Sequence, residues 1–167
     1  MTAVDPKLLI VIPLYNHADS VRAVVEQVLR IHDQVLVVDD GSSDAGAAVL
    51  DDLDVKILRH QENRGKGVAL QTALAEADRL GFSHVITIDA DGQHDPADLP
   101  QFLSAIEEDP TAIVVGKRDF DQASIPGSSR FGRKFSNFWL RVQTGKSLGD
   151  TQSGFRAYPV KIVRSLP

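Results

Sequence analysis

Residues 84–96 have the sequence HVITIDADGQHDP, and this stretch decides the fold. Residues 84–88 are mostly apolar and β-branched, which predicts a buried strand. Asp89-Ala90-Asp91 follows the strand, and Asp95-Pro96 then has the pattern that opens a helix. Two carboxylates therefore lie at the carboxyl end of a strand. In an open α/β sheet this is the edge where ligands bind.

Helix capping is the structural alternative for Asp89 and Asp91. Asp95 is a better helix cap, so the earlier pair is left without a structural task. Carboxylates of this kind cluster at functional sites. Two of them suit a hard divalent cation, Mg2+ or Mn2+, held together with substrate phosphates. Gln93 is a candidate for a further, neutral oxygen ligand, whereas His94 is predicted to be a surface or packing residue.

The size and composition of the chain fit one soluble globular domain. Its 167 residues carry a formal net charge of -5, which argues against nucleic acid as the main partner. The absence of cysteine excludes disulfides and thiolate metal sites and fits a reducing cytoplasm. The longest aliphatic run, Leu8 to Ile12, is far shorter than the roughly 20 residues of a membrane span. We expect a cytoplasmic protein; association with the inner face of the membrane stays open, as does the oligomeric state.

The remaining pattern alternates strands with helices. This predicts a three-layer α/β/α fold with a mostly parallel sheet, in a single domain over residues 5–167 that is truncated at its C-terminus. The predicted strands are residues 8–13, 34–38, 55–59, 84–88 and 112–115. The predicted helices are residues 19–31, 43–53, 66–80, 95–108 and, after a surface loop at 119–129, 130–144. The last helix has an aromatic stripe that suits either the core or a groove for a lipid chain.

Further polar residues are predicted at the same sheet edge. Residues 13–17 follow the first strand, where Tyr15 is a candidate to line a base pocket. Asp39 and Asp40 end the second strand and are candidates to accept hydrogen bonds from a nucleobase or ribose. The alternative, that Asp40 belongs only to a turn before a helix, stays open on this evidence.

Phosphate recognition is predicted at three places. Residues 63–67 place glycines and Lys66 at a helix N-terminus, which suits an anion, although a simple glycine turn explains the same pattern. Residues 150–156 are dense in polar groups, and without context they indicate only a turn. A basic set in an acidic chain also suggests phosphate contacts: Lys117, Arg118, Arg130, Arg133 and Lys134. The alternative is a solvated helix face, which explains Arg133 and Lys134 better than Lys117 and Arg118.

In this order and spacing the segments resemble the family 2 glycosyltransferases, which have the GT-A fold. The segments that carry the resemblance are residues 12–16, 37–42, 63–67, 89–94 and 153–156. The last two are most similar to the dolichyl- or polyprenyl-phosphate sugar transferase branch. The resemblance implies a hexosyltransferase that inverts the anomeric carbon, uses Mg2+ or Mn2+, and takes a GDP- or UDP-sugar as donor and a polyprenyl phosphate as acceptor.

The resemblance also implies roles for individual residues. The nucleotide-sugar ligands would be Pro13, Tyr15, Asp39, Asp40, Lys66, Asp89 and Arg118. The metal ligands would be Asp89, Asp91 and Gln93. Direct catalytic roles fall to Asp91, Arg118 and Asp150, and contacts to acceptor or phosphate to Arg130, Arg133, Lys134, Ser153 and Arg156.

Departures from the family narrow this expectation. The Gln-x-x-Arg-Trp motif of processive polysaccharide synthases is missing, which argues against that branch. The sequence has no Glu-Asp pair of the kind that supplies a general base for deprotonating the acceptor. A phosphate acceptor is already anionic, so it does not need such a base. Two other classes stay open: a receiver-like phosphoacceptor domain with Lys117 after its fifth strand, and a GT-A-like binding module without turnover.

Overall fold

The computed structural model describes residues 6–116 and 153–166. The strands in this part of the chain are β1 (Leu8–Leu14), β2 (Val35–Asp39), β3 (Lys56–Arg59), β4 (His84–Thr87), β5 (Val114–Val115) and β6 (Arg156–Pro159). The α-helices are α1 (Ala18–Leu29), α2 (Lys66–Arg79), α3 (Leu99–Glu108) and α4 (Val160–Arg164). Short 3-10 turns lie at Ala48–Leu50 and Pro96–Asp98.

The strands form one sheet in the order β3-β2-β1-β4-β6-β5. Strands β1 to β4 pair in parallel, whereas β6 runs antiparallel to both β4 and β5. The prediction of a mostly parallel α/β sheet is therefore confirmed. The parallel register brings the carboxyl ends of β1, β2 and β4 to one edge, as the candidate site requires.

A hydrophobic core covers each face of the sheet. Alternate residues of β1 point to opposite faces, so Ile10 and Ile12 join the core under α1 and α3, while Leu9 and Val11 join the core under α2. Val160 of α4 belongs to the α2 side. The described residues thus form the three layers expected from the sequence.

The predicted helix at residues 43–53 was wrong, because the structure has only the 3-10 turn at Ala48–Leu50. Asp44 Oδ2 accepts from the backbone N–H of Ala18 at 2.9 Å, and Asp44 Oδ1 accepts from Gly46 at 2.9 Å. Asn16 Oδ1 accepts from the backbone N–H of Ser43 at 2.8 Å, so Ser43 is not a helix cap. Such side-chain bonds compete with helix formation and tie the segment to the loop after β1.

The end of the described chain also differs from the prediction. Arg156, the last residue of the turn predicted at residues 150–156, instead begins the strand β6 (Arg156–Pro159), which lies between β4 and β5 and was not predicted. The predicted loop at 119–129 and the aromatic helix at 130–144 lie outside the described residues. Within residues 6–116 and 153–166, none of the helices has the length and apolarity that a membrane span needs.

Candidate active site

An open cleft of about 300 Å³ lies at the carboxyl ends of β1, β2 and β4. Its walls come from the β1 loop, the loop before α2 and the loop after β4. The lining residues with polar side chains are Tyr15, His17, Asp40, Asn63, Lys66, Asp89 and Asp91, and Pro13 contributes an apolar wall. The structure therefore brings together six residues predicted separately from the sequence: Pro13, Tyr15, Asp40, Lys66, Asp89 and Asp91.

Asp40 organises one end of the cleft. Its carboxylate accepts hydrogen bonds from the backbone N–H groups of Arg64 at 3.0 Å and Gly65 at 2.7 Å, and from His60 Nδ1 at 2.6 Å. Burial acts to raise the pKa of Asp40, but these hydrogen bonds outweigh it and lower the pKa below its usual value. Asp40 is therefore an anion that holds the loop before α2 in place.

Close packing of the chain explains the glycine after Asp40. Gly41 has φ of 71°, and a Cβ there would collide with the backbone of Glu62 and Asn63. Only glycine lets the two loops approach this closely while adopting a left-handed conformation. The turn predicted as an alternative role for this segment is thus present, and it forms part of the cleft wall.

Asp39 does not line the cleft. Its side chain is fully buried, with Oδ1 accepting from the backbone N–H of Ser42 at 2.9 Å and Oδ2 lying 3.0 Å from Arg59 Nε. These contacts stabilise the turn after β2. The predicted contact between Asp39 and a nucleotide stays a prediction, and the structure gives this residue a task within the fold.

Asp89 is held from several sides at the other end of the cleft. Its carboxylate forms an ion pair with Lys66, and His94 Nε2 lies 3.7 Å away, beyond hydrogen-bond distance. Burial acts to raise the pKa of Asp89, but the neighbouring His94 and Lys66 outweigh it and lower the pKa to about 2. His94 is 8% exposed and packs at a tilt against Phe155, so of its two predicted roles, a surface or a packing residue, the structure shows the packing role.

Gly154 presses against the same carboxylate. A Cβ at this position would overlap the Asp89 carboxylate, so no larger residue fits without a shift. The carbonyl of Gly154 accepts a 2.7 Å hydrogen bond from Thr87 Oγ1 in the neighbouring strand. The segment before β6 therefore fixes the back of the site.

Asp91 has the more open carboxylate of the pair. Its Oδ1 accepts from the backbone N–H of Gln93 at 2.9 Å, and within the described residues its Oδ2 has no hydrogen-bond partner. The loop that carries both carboxylates is anchored by Ser20 Oγ, which donates to the carbonyl of Ala90 at 2.6 Å. Gln93 is exposed beside Asp91.

The donor set fits a cation that is shared with a ligand. In the part of the chain that the structure describes, no three acidic, histidine or cysteine side chains are grouped to hold a metal by themselves. Mg2+ commonly takes one or two carboxylates and completes its shell with water and substrate phosphates. The open Asp91 oxygen and the neighbouring Asp89 carboxylate meet that requirement.

Ser153 and Arg156 lie in a neighbouring cavity of about 340 Å³ that shares Pro13 and Lys66 with the cleft. Ser153 is buried, and Arg156 Nε donates to the Ser153 carbonyl at 2.7 Å. The cavity is thus adjacent to the Lys66–Asp89 pair. The other predicted residues, Lys117, Arg118, Arg130, Arg133, Lys134 and Asp150, lie outside the described residues.

Sequence reasoning missed His60 and Gly154. The register pairs Asp39 with Arg59, so His60 follows β3 just as Asp40 follows β2. The strand-end argument applied to Asp40 would therefore have found His60. The contact of Gly154 depends on the antiparallel strand β6, which was not predicted.

Comparison with known structures defines the class of protein. The chain is similar to glucosyl-3-phosphoglycerate synthase from Mycobacterium tuberculosis, solved in complex with Mn2+, UDP-glucose and phosphoglyceric acid. The TM-score is 0.75 at 19% identity, covering 97% of this chain and 59% of that one. The fold is that of the GT-A glycosyltransferases, which confirms the predicted fold class.

The family profile described as Glycosyl transferase family 2 matches residues 9–166. The chain belongs to this family, as predicted. That membership gives no support to the receiver-like alternative.

Two curated relatives refine the similarity. UDP-N-acetylglucosamine--dolichyl-phosphate N-acetylglucosaminyltransferase of Methanococcus voltae is 29% identical, over 97% of this chain and 73% of its own length. Polyprenol monophosphomannose synthase of Mycolicibacterium smegmatis is 28% identical, over 96% of this chain and 64% of its own length. These relatives confirm the predicted similarity to the polyprenyl-phosphate branch. The chain spans about 60% of the length of the solved structure described above.

Proposed function

We propose that this chain carries the donor site of an inverting, metal-dependent transferase that moves a sugar from a nucleotide-diphosphosugar to a polyprenyl phosphate. One observation carries the proposal: a single cleft has the Asp40 acceptor at one end and Lys66, Asp89 and Asp91 at the other. This arrangement offers a hydrogen-bond acceptor for a base and separate groups for a diphosphate. The relatives named for dolichyl and polyprenyl acceptors support the acceptor class.

The nucleoside would occupy the end of the cleft formed by Asp40 and Tyr15. Tyr15 is 45% exposed at the cleft, so its ring is available to contact a base. Asp40 is already oriented by the loop before α2. Binding therefore requires little reorganisation of this side of the site.

The diphosphate would occupy the end formed by Lys66, Asp89 and Asp91. A divalent cation bound there would stabilise the negative charge that develops on the leaving nucleoside diphosphate. Asp91, with its open oxygen, would be the main ligand, supported by Asp89 and by the side-chain oxygen of Gln93. Lys66 would exchange its ion pair with Asp89 for a phosphate oxygen, where it adds positive charge.

The acceptor would approach from the neighbouring cavity. Ser153 and Arg156 lie there, and the predicted contacts of Arg118, Arg130, Arg133 and Lys134 would complete phosphate recognition. An acceptor phosphate oxygen attacks the anomeric carbon from the face opposite the leaving group, which inverts its configuration. Because the phosphate needs no deprotonation, the protein contributes positioning and electrostatic stabilisation, in which Asp91, Arg118 and Asp150 would take part.

The localisation follows from the acceptor. A polyprenyl phosphate lies in a membrane, so the protein would bind peripherally at the inner face from the cytoplasm. Neither a nucleic acid partner nor a particular oligomeric state is part of the proposal.

A two-stage experiment tests the proposal. Thermal-shift measurements with UDP, GDP and other nucleoside diphosphates, with and without Mn2+, should show stabilisation that needs the metal, because a ligand of the native state raises the melting temperature. Labelled UDP- or GDP-sugars with a polyprenyl phosphate should then give a labelled lipid of inverted configuration. Binding without transfer by the full-length protein would instead support a binding module, and no nucleotide binding would refute the proposal.

A further inference from the structure

Both ring nitrogens of His60 are engaged beside the cleft. Nδ1 is 2.6 Å from Asp40 Oδ1, and Nε2 is 2.9 Å from Thr72 Oγ1 in α2. The side chain is only 9% exposed, and the backbone N–H of His60 donates to the Asp39 carbonyl at 2.8 Å. The backbone and the ring of this residue are therefore both fixed relative to Asp40.

We propose that His60, oriented by Thr72, is a positioning residue that presents the Asp40 carboxylate as an acceptor for a ring N–H of the donor's nucleobase. The site would then select uracil or guanine over cytosine or adenine. This inference rests on the proposed function, because it assumes that the cleft binds a nucleotide. It adds His60 and Thr72 to the residues that the proposed function names.

The hydrogen-bond chemistry gives the direction of the effect. In neutral His60, Nδ1–H donates to Asp40 and Nε2 accepts from the Thr72 hydroxyl; in the charged form both nitrogens donate. In either state the Asp40 carboxylate receives a donor from His60. Thr72 thus fixes the ring rotation that aims Nδ1–H at Asp40.

The one acceptor position that Asp40 has left explains the expected preference among nucleobases. A carboxylate has about four lone-pair positions, and His60, Arg64 and Gly65 fill three of them. One position is left on a side chain that lines the cleft. Uracil and guanine carry a hydrogen on the ring nitrogen of their pairing edge, whereas cytosine and adenine have a lone pair there that a carboxylate repels.

A simpler role for His60 would be to brace the loop before α2. Loss of a loop brace should weaken binding of every nucleoside diphosphate, because that loop also carries Lys66. Loss of the acceptor orientation should weaken only the nucleotides whose base donates to Asp40. The ratio of affinities for different bases therefore separates the two roles.

The experiment measures affinities by calorimetry for UDP, GDP and CDP with Mn2+. His60→Leu removes both ring hydrogen bonds, while His60→Asn restores an N–H near the position of Nδ1. The matched control is His32→Leu, since His32 is also partly buried and its Nε2 lies 3.1 Å from the Leu8 carbonyl, away from the cleft. Thr72→Val removes only the hydrogen bond that orients the His60 ring, and it replaces His60→Leu in the test if that variant does not fold.

We expect His60→Leu to weaken UDP or GDP binding, whichever the wild type prefers, by roughly tenfold, with little effect on CDP. His60→Asn should recover most of the loss, Thr72→Val should show a smaller loss, and His32→Leu none. Equal losses for all three nucleotides, or unchanged affinity in folded His60→Leu or Thr72→Val, would overturn the inference. A wild-type protein that binds none of them would refute the proposed function itself.

Discussion

The two acidic pairs of this protein occupy equivalent places and differ in use. Asp39 ends β2 and Asp40 follows it, whereas Asp89-Ala90-Asp91 follows β4, and these two strands lie on either side of β1. The first pair is buried: both Asp40 oxygens and Asp39 Oδ1 accept hydrogen bonds, while Asp39 Oδ2 has no hydrogen-bond partner among the described residues and lies 3.0 Å from Arg59 Nε. The second pair is more exposed, and Asp91 keeps an oxygen without a partner among the described residues. One pair builds the cleft, and the other is available to a ligand.

Asp91→Asn gives the largest expected effect. Removing the open carboxylate should reduce metal-dependent transfer at least roughly 10²–10³-fold, as expected for one preorganised electrostatic contact, while the melting temperature stays the same. Initial rates with saturating Mn2+ measure this loss. The control is Asp98→Asn, which makes the same change in an exposed carboxylate. Turnover of Asp91→Asn at the wild-type rate would show that the second pair is not the one available to a ligand.

Gly154→Ala tests whether the second pair depends on its packing. The added methyl group would displace the Asp89 carboxylate, at a cost of about 1–3 kcal/mol in the free energy of unfolding, and should weaken nucleoside diphosphate binding. Urea unfolding and calorimetry measure the two effects. Gly67→Ala is the control, because a Cβ there meets open space and should be neutral or stabilising. Equal stability of the two variants would contradict the close contact.

Asp39→Ala tests the structural role of the first pair. It leaves the buried N–H of Ser42 without its acceptor and removes the partner of Arg59, which should cost about 1–3 kcal/mol of stability. Asp91→Ala should stay within about 0.5 kcal/mol, because its carboxylate supports only an exposed turn. Chemical denaturation of both variants gives the comparison. A larger loss in Asp91→Ala would reverse the assignment of roles.

A further expected effect is on the acid stability profile. The pKa of Asp89 is about 2 in the folded protein against a usual value of 3.8, so between these values the unfolded chain binds more protons. The stabilisation from Asp89 is therefore complete above pH 3.8 and is lost as the pH falls toward about 2. Asp89→Asn should flatten the unfolding free energy in that window, and an unchanged slope would contradict the lowered pKa.

The sequence predicted the parallel part of the fold well, because strand-end motifs and helix periodicity are local signals. It placed Asp40, Lys66, Asp89 and Asp91 at one edge, and the structure brings them into one cleft. It failed at residues 43–53, where the side chains of Asn16 and Asp44 accept backbone hydrogen bonds across loops, and these bonds override helix propensity. The local sequence pattern also does not reveal that the side chain of Asp39 is buried and contacts other residues of the protein instead of lining the cleft.

The position of β6 has a consequence for how the protein is made. This strand lies between β4 and β5 in the sheet but follows both along the chain. During synthesis, the back of the Asp89 pocket is therefore absent until residues 153–159 have left the ribosome. Long-range pairing of this kind closes late and slowly. The incomplete sheet leaves unpaired strand edges exposed in the meantime, so the nascent chain would need protection from aggregation until its active site closes.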